Sequence, residues 1–325
     1  MDPEMIEAFT AETGIEVEYK TYGGTDELQA QLHSNPGDYD LIVTDDLNVS
    51  ELIELRLIRM IDKAKIPNFG ELSSRYTDRD FDPGNQYSVP FVWGTTLVAY
   101  RTDLVEDPEH SWELLWRPDL KGRVMMMEES FDPISVALIS LGHSANTEDP
   151  THYEKASELL VRQIEELGVR YGDDIAVRSG LVEGTVAAAM CYSGDAAWAA
   201  DESELVTYFI PKEGAPLWID NFGIARDSQN VDAAHRFIDF MTAPEVSAAN
   251  CNYVWCASPL EGSKPYLDEG LLSDDRIYPS AEVLERCVIL DKPGPERAML
   301  INQAWRAMEV ALRERGSDNS GVGGL

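Results

Sequence analysis

The chain has 325 residues, 44% of them hydrophobic, and carries 59 Asp and Glu against 26 Lys and Arg, a formal net charge of −33. That balance excludes nucleic acid as a partner, because holding phosphates takes clustered lysine and arginine. The length suits two domains or one large two-lobed unit, and no run reaches the ~20 apolar residues that cross a bilayer.

The opening MDPEMIEAF has neither a basic stretch nor an apolar run behind it, so no signal peptide is expected there. PEMIEAFTAETG predicts a short amphipathic helix closed by Gly14, and IEVEYKTY an alternating strand. Thr25 is the expected cap of a second helix, TDELQAQLHS. YDLIVTDD is a compact apolar strand ending in Asp45 and Asp46, with the helix NVSELIELRL after it. This β-α rhythm predicts an α/β fold with a largely parallel sheet. Ligands of such sheets sit outside the carboxyl ends of the strands, where Asp45 and Asp46 fall.

YSVPFVWGTTLVAYRTDLV is strand-rich over a long span, punctuated by Pro90 and Gly94, and is the candidate crossing between lobes. SWELLWRPDLKGRVMMMEES gives a helix start, a Pro/Gly break and a strand ending in Glu128 and Glu129. DPTHYEKASELLVRQIEELG is an amphipathic helix, and GTVAAAMCYSGDAAWAA a small-residue strand running into another. LWIDNFGIA is a strand that sets one carboxylate, Asp220, between Trp218 and Phe222. NVDAAHRFIDFMTAPEVSAANCNYV is a helical pair broken at Pro244, and the Gly/Ser-rich tail at 316–325 is expected to be disordered.

Catalytic machinery is not visible. GHSAN at 142–146 lacks the second glycine of a nucleophile elbow and reads as an N-terminal helix turn. There is no HExxH, no phosphate-binding loop and no Gly-x-Gly-x-x-Gly. Cys191, Cys251, Cys256 and Cys287 show no paired spacing for zinc; three disulfide pairings stay open, with buried thiols as the default. The sequence therefore points to a binding protein rather than an enzyme, with no cofactor and no metal.

Several segments, in order from Phe9 to Glu285, carry a family resemblance: FTAETGIEVEYKTY, YDLIV, IDKAKIPNFGEL, FDPGNQYSVPFVWGTTLVAY, SWELLWRPDLKGRV, ALISLGHSANTEDP, PKEGAPLWIDNFGIA and RIYPSAEVLE. Together they resemble the spermidine/putrescine substrate-binding proteins of bacterial ABC importers. The resemblance implies a two-lobed α/β fold of the periplasmic-binding-protein kind (type II), with the ligand cleft between the lobes. It places residues 1–99 and 222–270 in the first lobe, whose first strand is missing, and 103–218 and 271–315 in the second. It implies a polyamine ligand, a membrane permease as partner, a monomer, and a periplasmic or other extracytoplasmic location. A polyamine-sensing module of the same fold, or a homologue that binds nothing, are the other functions weighed.

Residue by residue, the resemblance implies that Asp220 binds a ligand ammonium and that Trp218 stacks on the polyamine. Glu129 and Asp132 match two further acids, with their side-chain lengths exchanged, and Tyr192 stands where the family has tryptophan. Asp45 and Leu47 replace a serine and a tyrosine, and Cys256, beside Trp255, replaces a tyrosine. The implied ligand set is thus Asp220, Trp218, Glu129, Asp132, Tyr192, Asp45 and Cys256. Without the resemblance, Trp218 reads as core, Asp220 as a structural partner of Arg226, and Glu129 and Asp132 as first-turn helix acids.

Overall fold

The computed structural model describes residues 1–128 and 131–320. The chain divides into two compact units, Met1–Gly94 with Trp218–Tyr278, and Thr95–Leu217 with Pro279–Leu325. In chain order the first segment holds helices α1 (Pro3–Thr13) and α2 (Thr25–Ser34), strand β1 (Leu41–Thr44), α3 (Asp46–Glu54), β2 (Ile58–Arg59) and the start of β3 (Ser88–Arg101). Next come β4 (Val124–Met127), α4 (Phe131–Ser140), α5 (Pro150–Arg162), β5 (Arg170–Gly172), α6 (Asp174–Glu183), β6 (Ala188–Tyr192), α7 (Ser193–Glu202) and β7 (Val206–Phe209). The strand β8 (Pro216–Ala225) leads into α8 (Val231–Met241), α9 (Pro244–Val254) and α10 (Glu269–Ser273). The chain closes with α11 (Ala281–Leu284), β9 (Val288–Ile289) and α12 (Pro295–Ser320).

The first unit is built on β8, which pairs antiparallel with β1, Leu41 opposite Ile224 through Thr44 opposite Asn221, and with β2. Its core is aromatic. Phe222 is fully buried, 4.4 Å from Phe91 and 6.2 Å from Phe237 between ring centroids. Phe9 of α1 meets Phe237 edge-on at 4.9 Å. Sequence explains why α1 starts and stops where it does: Asp2 accepts the Glu4 N–H, Pro3 takes the first turn, and Gly14 closes the helix at φ 71°. The loop before β3 is pinned by buried Asp82, which accepts from the N–H groups of Gln86, Tyr87 and Ser88 and from the Ser88 hydroxyl.

In the second unit β3 pairs antiparallel with β6 and β7, while β4 runs parallel to both β6 and β5. The first residues of β8 pair parallel with β9. Buried Arg297 on α12 donates to neutral acceptors, the Asn146 side chain at 2.8 Å, the Tyr153 hydroxyl and the Asp291 carbonyl. Asn146 in turn donates to the Ile289 carbonyl.

Four local expectations change. The sheet is mixed, because the helix–strand rhythm says nothing about the direction of strands such as β3 and β8 that return from elsewhere in the chain. IEVEYKTY keeps its alternation, Ile15 and Val17 half-buried between exposed neighbours, yet forms no ladder: alternation marks two faces, and a strand also needs a partner edge. Thr25 is the first residue of α2, with Gly24 before it. GHSAN is the turn that ends α4, Gly142 at φ 75° and the His143 N–H on the Leu138 carbonyl, so Asn146 serves the scaffold. In addition α12 runs to Ser320, into the segment read as a disordered tail; extending a packed helix costs little per residue. Residues 321–325 of that tail lie outside the described residues.

Candidate ligand-binding carboxylates

Along β8, Trp218 and Asp220 are half-buried on one face of the strand, and Phe222, next on that face, is fully buried. The exposed end of the strand thus carries the polar and amphipathic side chains. Thr44 and Asn221 are the last registered pair of β1 and β8, and continuing that register by one residue sets Asp45 across from Asp220. Asp45 is also the cap of α3, accepting the Asn48 N–H at 2.9 Å. Asp46 follows, only 4% exposed; its Oδ1 takes the Leu47 N–H, and its Oδ2 has no hydrogen-bond partner among the described residues.

Three carboxyl groups in one place repel one another. Burial, then the charge of Asp45, pushes Asp220 up to about 7, with the Met1 α-ammonium acting the other way. Burial and the charges of Asp45 and Asp220 hold Asp46 well above the usual carboxylate range. Burial also raises Asp45, opposed by backbone N–H groups, Asn48 foremost. Tyr22 joins the group: its hydroxyl donates to the Val43 carbonyl at 2.7 Å, and burial, with Asp45 and Asp220 adding, pushes the phenol up to about 12. Cys256 is half-buried, its Sγ donating to the Val254 carbonyl, and Trp255 beside it takes a left-handed turn at φ 57°.

In the second unit Asp132 sits in the first turn of α4. The Tyr192 hydroxyl donates to its Oδ2 at 2.7 Å, and the Thr96 hydroxyl to its Oδ1 at 3.4 Å. Thr96 and Tyr192 are a cross-strand pair of β3 and β6, so one register point aims both hydroxyls at the same carboxylate. Glu129 lies outside the described residues.

The structure therefore brings Asp45 and Asp220 together with Trp218 close by, and separately Asp132 with Tyr192. Arg226, the structural partner weighed for Asp220, instead forks onto exposed Asp227 at 3.0 and 3.3 Å. The implied ligand set left out Asp46, although the sequence sets it with Asp45 at a strand's carboxyl end, and it did not include Tyr22 or Thr96. The acid pair at the end of YDLIVTDD signalled the first; the other two depend on register, which no local pattern carries.

Residues 4–262 match the family model of the bacterial extracellular solute-binding proteins. The spermidine/putrescine-binding periplasmic protein of Escherichia coli is 32% identical over 286 residues, 87% of this chain and 81% of that protein. The putrescine-binding periplasmic protein SpuD of Pseudomonas aeruginosa is 31% identical over 322 residues, 93% of this chain and 87% of its own. Among solved structures, the spermidine/putrescine ABC transporter substrate-binding protein PotD of Streptococcus pneumoniae superposes with a TM-score of 0.86 at 26% identity, covering 96% of each chain. The two-lobed α/β fold expected from the resemblance follows from that likeness. The chain belongs to the bacterial extracellular solute-binding proteins, in the branch of the spermidine/putrescine-binding periplasmic proteins.

Proposed function

We propose that this protein is the solute-binding component of an ABC importer for polyamines, and that Asp220 with Trp218 takes an ammonium group of the ligand. The observation that carries this reading is Asp220 itself, a half-buried carboxylate beside an indole, held up near 7 by burial and by Asp45. An alkylammonium supplies the charge that such a group lacks. A pair at ~4 Å gains roughly 4 kcal/mol at an effective dielectric near 20, before desolvation is subtracted. The indole face adds about 0.5–2 kcal/mol toward a cation and shelters methylenes. Asp132, which accepts from the Tyr192 and Thr96 hydroxyls, is a further candidate anionic acceptor. The partners in this reading are a membrane permease and the polyamine, the location extracytoplasmic, the protein a monomer without catalytic turnover.

A thermal-shift panel with putrescine, spermidine, spermine, lysine and buffer alone tests it. Ligand at a hundredfold its Kd stabilises the folded state by about 2.7 kcal/mol, a rise of several degrees at this chain length. The expected result is such a rise for at least one polyamine and little for lysine. No rise with any polyamine at millimolar concentration sinks the reading.

A further inference from the structure

The resemblance implies an aspartate at Asp220 on β8 and a serine where this chain has Asp45. We infer that Asp45 is a second cation-binding carboxylate facing Asp220, that the pair holds one proton in the unliganded protein, and that an incoming ammonium group expels it. Capture of the cation is then coupled to release of a proton. The inference rests on the polyamine reading above and deepens it.

Geometry carries the argument. The register of β1 on β8 sets Asp45 and Asp220 across from one another at the end of the ladder. Residues opposed in an antiparallel pair hold their Cβ atoms ~5 Å apart, too close for two half-buried carboxylates to be charged together without cost. The two differ in what holds their charge. Asp45 takes the Asn48 N–H at the start of α3, where the helix dipole favours an anion. Asp220 has no such cap among the described residues, so the proton resides there, consistent with its rise to about 7. Asp46 follows Asp45, 4% exposed with Oδ2 unpartnered among the described residues, and burial, then the charge of Asp45, raises it well above the usual carboxylate range. Among the described residues Tyr22 and the Met1 amine also interact with Asp220, and Asp2 and Cys256 act on that amine. Between pH 5.5 and 8 the Tyr22 phenol stays neutral, whereas burial lowers the Met1 amine below its ordinary value, so its opposing effect on Asp220 weakens toward pH 8.

The exchange balances simply. The Asp220 carboxylic acid gives its proton to water, and the ligand, which arrives already charged as R–NH₃⁺, replaces it as the counter-ion of the pair. An alkylammonium like that of lysine, near pKa ~10.4, keeps its charge throughout this range. The sign follows: below about pH 7 the cation must displace a bound proton, so affinity falls as pH drops; above it there is none to displace and affinity levels off.

Calorimetry with putrescine and spermidine, in buffers of different ionisation enthalpy, counts protons released on binding. Wild-type protein should release a substantial fraction of one proton at pH 6 and close to none at pH 8.5. Its Kd should weaken by about 10- to 30-fold between pH 8 and pH 5.5. Asp45→Asn keeps an acceptor for the α3 cap and removes the charge, so its pH midpoint should move lower. Asp220→Asn should release nothing. Carbon-13 carboxyl shifts of the unliganded protein give an independent reading: Asp220 should titrate near 7, and lower in Asp45→Asn. Binding with pH-flat affinity and no proton release overturns the coupling and leaves the polyamine reading standing. Absence of polyamine binding at pH 8.5 overturns that reading, and the carboxyl titration alone then decides the shared proton: a wild-type midpoint below 5, or the same midpoint in Asp45→Asn, refutes it.

Discussion

Asp220 destabilises the fold that holds it. An ordinary aspartate ionises near 3.8, and this one near 7, so the folded state binds a proton that the unfolded chain has already lost between those values. A raised acid therefore contributes least at high pH: stability attributable to Asp220 falls as pH climbs from about 4 to about 7 and stays at its low value above that. Replacing it with Asn keeps the shape and removes the buried charge. We expect Asp220→Asn to raise the unliganded melting temperature at pH 8, with a stabilisation of about 1–3 kcal/mol that vanishes near pH 4. Polyamine affinity should fall at the same time by about 2–5 kcal/mol, the usual loss on truncating one partner of a desolvated charged contact. Melting curves paired with calorimetry separate the alternatives, because a drop in melting temperature with affinity unchanged makes Asp220 a structural partner and moves the site elsewhere.

Elements with local signals were legible in the sequence, and those that depend on a distant neighbour were not. Asp2, Pro3 and Gly14 write both ends of α1 into a dozen residues, and Pro244 breaks the α8–α9 pair where the sequence says it should. IEVEYKTY failed because pattern alone cannot supply a ladder, and GHSAN because a glycine-led turn ends a helix as readily as it precedes one. The site divides the same way: Asp220 and Asp45 stand out as charges at strand ends, whereas Thr96 on Asp132, or Tyr22 on the Val43 carbonyl, follow only from tertiary register. Asp82 shows how an element can hinge on one such side chain. Its carboxylate takes three backbone N–H groups and a hydroxyl while only 2% exposed, and so fixes the loop that launches β3. Asp82→Asn puts an amide where Oδ2 accepts three donors, and should cost about 2–4 kcal/mol in urea denaturation. A loss below ~0.5 kcal/mol means the loop is held by other contacts.

At the scale of the whole molecule the dominant fact is charge, −33 over 325 residues. Two effects of that field act in opposite directions on function and stability. Self-repulsion among the acids opposes the compact state, so adding salt, which shortens the screening length from ~30 Å at 0.01 M to ~3 Å at 1 M, should stabilise the protein. The same field draws polyamines in from solution, and salt removes that advantage. Steering acts on encounter, whereas the partly buried contact proposed at Asp220 is screened much less, so the two should separate kinetically. We expect the association rate for spermidine to fall by about tenfold or more between 0.01 and 0.5 M NaCl while the dissociation rate changes by less than ~3-fold. Over the same range the unliganded melting temperature should rise. Putrescine, with fewer charges, should show the shallower slope in association rate. Stopped-flow measurements on the intrinsic tryptophan fluorescence, with melting curves at matched salt, give all three quantities. An association rate indifferent to salt would mean that the acidic surface plays no part in capture, and a melting temperature that falls with salt would mean that local ion pairs, such as Arg101 with Asp103, outweigh the net repulsion.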